Sequence, residues 1–191
     1  MNEASSIFAP HIIFYYESIR FHCQCALSSV DFVASFIDMS NETKGNYEMT
    51  DELRNQILDN LQNILVHSAA ISRYFWPSYC KDKTKNNIFK RRGLELKDMF
   101  ELNNNSPLKS RELRNALEHF DENLDLYLHE KPLVGRVFPA YVGGYPESEV
   151  PLHFFRAYYI DIGIFEVLGS KFEVQPIVDE IYKIYNHMRT I

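Results

Sequence analysis

From Ile12 onward, apolar residues recur at Ile12, Tyr16, Ile19, Cys23, Ala26, Val30, Val33 and Ile37. Steps of four and three put them on one side of an α-helix. Phe14, Phe21, Phe32 and Phe36 fall off that stripe, so the helix is expected to be buried on more than one side, as a central helix or at a subunit interface. The polar stretch Ser40 to Asn46, with its single Gly, reads as a loop. A second helix is expected from Thr50, a suitable N-cap followed by Asp51 and Glu52 in the first turn. Its stripe runs Leu53, Ile57, Leu61, Ile64, Ser68, Ile71 and Phe75, and Pro77 stops it.

The pattern then loosens. Lys81 to Lys97 reads as a solvated connection leading into a short helix near Gly93 to Phe100. Asn103-Asn104-Asn105 marks a turn, and Ser106-Pro107 looks like an N-cap with Pro at the first helical position. A long helix is expected from there to about His129, buried along Leu113, Leu117, Phe120, Leu124 and Leu128 and widened by Ala116 and Tyr127. After Pro132, Gly, Pro and aromatic residues punctuate the chain. Strand-like runs follow at Phe154–Ile160, Ile164–Leu168 and Lys171–Val174, with Gly169-Ser170 placed for a type II′ turn. A last helix from about Gln175 to 190 carries Ile177, Ile181, Ile184, Tyr185 and Met188. The expected fold is mainly α: an up-and-down helical bundle over 8–130, a β-like insertion of a small antiparallel hairpin or meander at about 152–174, and a C-terminal helix, all in a single domain over 1–191.

Composition narrows the classes. The 191 residues suffice for one domain with a sizeable core. A formal charge of −6 argues against non-specific nucleic-acid binding over the whole surface, yet Lys81 to Lys97 holds seven cations against Asp82 and Glu95. That segment is either a solvated connection or a local phosphate contact, with Lys90, Arg91 and Arg92 as its densest part. Cys23, Cys25 and Cys80 form neither an even disulfide framework nor a zinc spacing. The N-terminus lacks a basic leader with a cleavage site, and no apolar run approaches the length of a membrane span. The expectation is a cytoplasmic protein with reduced thiols, no membrane contact, no cofactor and no metal.

The chemistry concentrates in Arg114-Asn115-Ala116-Leu117-Glu118-His119. A guanidinium offers permanently charged donors matched to phosphate, and an imidazole exchanges protons near neutrality. Together they suffice to cleave a phosphodiester without a metal. On an ideal helix Arg114 and His119 stand about 140° apart, so convergence needs long side chains reaching over the arc, a second copy across a two-fold axis, or an irregular helix start. Arg111 lies on the same polar arc and extends the basic contact. The competing reading is an ion-paired, solvated helix face, with Glu118 and Glu122 as ordinary helix-surface partners for the arginines.

This Arg-Asn-x-x-x-His spacing in a mainly helical chain resembles the HEPN superfamily (higher eukaryotes and prokaryotes nucleotide-binding). The resemblance covers these residues and the helical order before Lys131. It implies a helical bundle, a dimer that brings two motifs together, and metal-independent RNA cleavage of a toxin or defence type. Arg114 and His119 would be the catalytic pair and Asn115 the supporting polar residue. Members paired with nucleotidyltransferase antitoxins often carry a Tyr two residues after the His; here that residue is Asp121, so modification of such a Tyr is not expected. The sequence-level expectation is thus a homodimeric endoribonuclease acting on RNA, with an antitoxin or other protein as a further partner. The alternative is a non-catalytic helical interaction or scaffold protein.

Overall fold

The computed structural model describes residues 9–110, 112, 115, 119–130 and 133–189. The chain is mainly helical, with a small β region before the C-terminal helix. Helix α1 spans Ala9–Glu42 and α2 spans Asp51–Phe75. Contacts Tyr15–Tyr74 and His22–His67 pair residues whose numbers rise on one helix as they fall on the other, so the two run antiparallel. Ile19, Cys23, Ala26 and Val33 from the α1 stripe are buried, and they meet the α2 stripe of Ile57, Leu61, Ile64 and Ile71. The expected Thr50 cap is present: its side-chain oxygen accepts from Leu53 N at 3.2 Å. Burial on more than one side holds for Phe36 but not for Phe14 and Phe21, which are 70% and 58% exposed.

The connection expected after Pro77 is instead a 17-residue helix, α3, Lys83–Met99. Asp82 caps it, its carboxylate accepting from Thr84 N and Lys85 N. Gly93 lies inside this helix. A Cβ there would sit 2.7 Å from the Phe75 carbonyl oxygen and 2.8 Å from Pro77 Cδ. A residue that weakens the helical pattern in sequence is what lets α3 press against the end of α2.

A second difference concerns the long helix expected from Pro107. The residues form a single 3₁₀ turn, Pro107–Lys109, and Ser110 is extended at φ −55°, ψ 127°. Ser106 caps this turn as expected. The helix fails to propagate because the carbonyl of the fully buried Leu108 accepts a hydrogen bond from the buried Ser72 hydroxyl of α2, and that tertiary bond takes the place of a helical one. Regular helix resumes as α4, Phe120–Glu130. Its buried side differs from the expected one: Leu128 is 43% exposed, whereas Tyr127 is buried with its hydroxyl 3.1 Å from His153 Nδ1. Leu113, Ala116 and Leu117 lie outside the described residues.

Six short strands follow: β1 Arg136–Phe138, β2 Tyr141–Gly143, β3 Leu152–Phe154, β4 Arg156–Tyr159, β5 Ile164–Val167 and β6 Ser170–Glu173. The antiparallel meander β4-β5-β6 matches the expectation, but β2 joins its edge in parallel with β4, and β1 pairs in parallel with β3. The β region therefore begins near 136 rather than 152. Ser170 pairs with Val167, so the turn residues are Leu168 and Gly169, at φ +48° and +84°. Two positive φ values belong to a type I′ turn rather than II′. Alternation sorts the sheet's faces: Tyr158, Phe165 and Phe172 join the helical core, while Ala157 and Tyr159 form a second cluster with Phe154. Helix α5, Val174–His187, closes the chain and buries Ile177, Val178, Ile181 and Ile184 against the core. Among the described residues no helix is long and apolar enough to cross a membrane.

Candidate functional site

His119 sits in a turn at the foot of α4. Its N–H reaches Asn115 O at 3.3 Å, and its own carbonyl accepts from Asn123 N at 2.9 Å. Asn123 Nδ2 also donates to Asn115 O at 3.4 Å, so side chain and backbone together tie Asn115 and His119 into one local unit. The next residue, Phe120, is pinned from outside: the Arg156 guanidinium lies 4.4 Å over its ring while Arg156 Nε donates to Gln62 Oε1 at 3.0 Å. One arginine from β4 thus anchors the start of α4 to α2.

The His119 side chain is 54% exposed and its Nδ1 lies 3.5 Å from Glu122 Oε2. A carboxylate on one ring nitrogen orients the imidazole and favours Nε2 as the atom offered outward. Asn115 is exposed as well. Arg114 and Arg111 lie outside the described residues, so the geometry concerns Asn115 and His119 only.

The basic residues of α3 separate by role. Arg92 is committed to the protein: it donates to the carbonyls of Arg73 at 2.8 Å and Tyr74 at 3.4 Å in the last turn of α2, and its guanidinium lies 5.7 Å and 5.6 Å from the Tyr74 and Phe89 ring centres. These contacts satisfy carbonyls that a helix end leaves without intrahelical donors. Arg91 Nε is 3.8 Å from Glu95 Oε1. Lys90 is exposed and lines an open cavity of about 440 Å³ between the end of α2, α3 and the 3₁₀ turn.

Two further groupings escaped the sequence reading. His22 on α1 and His67 on α2 bring their Nδ1 atoms to 3.0 Å, with the Phe21 ring edge-on to both. Burial lowers the pKa of each, and His67 and Arg73 lower that of His22 further. In the β region, the buried Glu166 carboxylate accepts from Tyr159 OH at 2.9 Å and lies 3.7 Å from Lys171 Nζ. The ammonium in turn stands 5.1 Å and 5.9 Å from the Tyr145 and Tyr159 ring centres. Burial, then the hydrogen bond to Glu166, pushes the Tyr159 phenol far above its ordinary range. No local spacing announces either grouping, because each joins residues of separate elements. Cys23 is fully buried, its thiol pushed up to about 12 by burial, which makes it inert. Among the described residues no three His, Cys, Asp or Glu side chains stand together as a metal site.

Compared with protein-family models, curated proteins and solved structures, the chain gives no match in any of the three.

Proposed function

We propose that this protein is a HEPN-like, metal-independent endoribonuclease of toxin or defence type, an up-and-down helical bundle that acts as a homodimer. The observation that carries this reading is the solvent-facing His119, its Nδ1 held 3.5 Å from Glu122 at the foot of α4 and its backbone bonded to Asn115. In the proposed reaction His119 removes the proton from a ribose 2′-OH or protonates the leaving 5′-oxygen. Arg114 offsets the charge that develops on the phosphoryl oxygens, and Asn115 donates to one of them. The products are a 2′,3′-cyclic phosphate and a free 5′-hydroxyl. A second copy supplies the other half of the site, and the outer face of α1, where Ile13, Phe14 and Phe21 are exposed, supports association.

The test is purified protein incubated with single-stranded RNA in EDTA. Cleavage that survives chelation and is lost in both Arg114→Ala and His119→Ala is the expected result. Equal background cleavage by wild type and both variants rejects it and leaves the scaffold reading, for which the same exposed α1 face speaks.

A further inference from the structure

The cavity beside α3 joins two kinds of surface. Its apolar wall is built from Trp76 and Pro77 at the end of α2 and from Leu94, which is 64% exposed on α3. Its rim carries Lys90 and Lys97 from α3 and Lys109 from the 3₁₀ turn. Lys90 and Lys109 are exposed and Lys97 is half-buried. Among the described residues, none of the three has a carboxylate within ion-pair distance. Around them α3 carries six cations against two carboxylates, in a chain whose net charge is −6.

An apolar wall ringed by three ammonium groups from two elements suits an occupant with a flat hydrophobic part and several negative charges. One carboxylate, as on a fatty acid, leaves most of that positive charge unmatched. Successive phosphodiesters of a single strand, with a base laid against the aromatic wall, match both features, and this combination of cationic groove and stacking surface is how single-stranded nucleic acids are held. The rim also has a position along the chain that matters: Lys109 precedes Arg111 by two residues and Arg114 by five.

We infer that this groove is a nucleotide subsite for single-stranded RNA, holding a base against Trp76 and Pro77 and the flanking phosphates with Lys90, Lys97 and Lys109. The inference rests on the ribonuclease reading for the choice of RNA. Binding at the groove is nevertheless separable from cleavage at His119.

Trp76 is the chain's only tryptophan, so its fluorescence reports on the groove directly. The probe is a 2′-O-methyl octaribonucleotide, which binds as RNA but cannot be cleaved through its 2′-oxygen, titrated at several salt concentrations. The expected result is saturable quenching whose log–log salt slope falls by about two units in Lys90→Gln/Lys97→Gln/Lys109→Gln, from roughly 0.7 per phosphate contact. A control removing equal charge elsewhere, Lys81→Gln/Lys83→Gln/Lys85→Gln, keeps most of the slope, and the Lys-to-Arg triple variant at the groove keeps nearly all of it. Thermal melts establish that each variant is folded. No saturable quenching, an equal slope loss in the control, or tighter binding of adenosine 5′-monophosphate than of the octanucleotide overturns the subsite. Protein that binds the probe here without cleaving unmodified RNA defeats the catalytic reading alone; cleavage without binding at the groove defeats the subsite alone.

Discussion

His22 and His67 face each other across the α1–α2 contact with their Nδ1 atoms 3.0 Å apart. At that distance one ring must carry its proton on Nδ1 and donate it to the bare Nδ1 of the other. The bond therefore requires both imidazoles to be neutral, and burial, the partner ring and Arg73 all favour that state.

A pH dependence follows with a definite sign. Both folded values lie below the ordinary histidine pKa of about 6.5. As pH falls through that value the unfolded chain takes up protons before the folded one does, so stability falls with acid and is unaffected by this pair above about pH 7. Thermal midpoints measured from pH 8 to pH 5 are expected to drop, and His67→Gln is expected to flatten the drop. An unchanged profile in that variant removes the pair from the explanation.

Ser72 and Leu108 decide where the chain after Pro107 goes, because the buried hydroxyl takes the Leu108 carbonyl. Ser72→Ala leaves that carbonyl without its donor at a fully buried residue. The expected cost is about 1–3 kcal/mol, read from urea unfolding.

Gly93→Ala sets two effects against each other. Helix propensity alone favours Ala by about 1 kcal/mol. The new methyl group, however, meets backbone at 2.7 Å and the Pro77 ring at 2.8 Å, and neither is the loose end of a side chain. Overpacking of this kind costs about 1–3 kcal/mol, so net destabilisation is expected, with a lower thermal midpoint and altered Trp76 fluorescence.

Tyr159 and Glu166 are expected to be coupled. A double-mutant cycle with Tyr159→Phe and Glu166→Gln measures the bond at 2.9 Å as the departure from additivity, about 1 kcal/mol. Strictly additive losses would show that the two side chains act independently.

The exposed face of α1 yields a prediction about assembly. With Ile13, Phe14 and Phe21 each more than half exposed, Phe14→Glu/Phe21→Glu is expected to leave the fold intact and to convert the proposed dimer into a monomer. Analytical ultracentrifugation reads the outcome; a wild-type monomer contradicts the dimer outright.

The helices with a strong period were legible before any coordinates. The 4-3 spacing on α1, the Thr50 cap and Pro77 on α2, and the Ile177–Ile181–Ile184 stripe of α5 each state a local rule that the packing obeys. Helix α3 was hard to read because its residues are mostly polar and Gly93 interrupts the pattern; the reason for the glycine lies on α2. The strand-like runs after Phe154 were legible from composition, but the parallel partners β1 and β2 were not, since pairing between distant segments leaves no mark on either one alone. Of the candidate site, the chemistry of Arg114, Asn115 and His119 is visible in the residue types. The neighbour of His119, the anchoring of Phe120 by Arg156 and the diversion of Arg92 to the α2 carbonyls are not.

By itself, then, the sequence determined which segments are amphipathic helices, where three of them start or stop, and which residues carry acid–base and phosphate-binding chemistry. These depend on contacts within a few residues. Only the tertiary structure decided that the helix expected from Pro107 ends after one turn, that three lysines ring one apolar groove, and that two scattered histidines form a pair. Each of those outcomes is set by atoms far apart in the chain, where a buried carbonyl, a close backbone approach or an inter-helix register outweighs local preference.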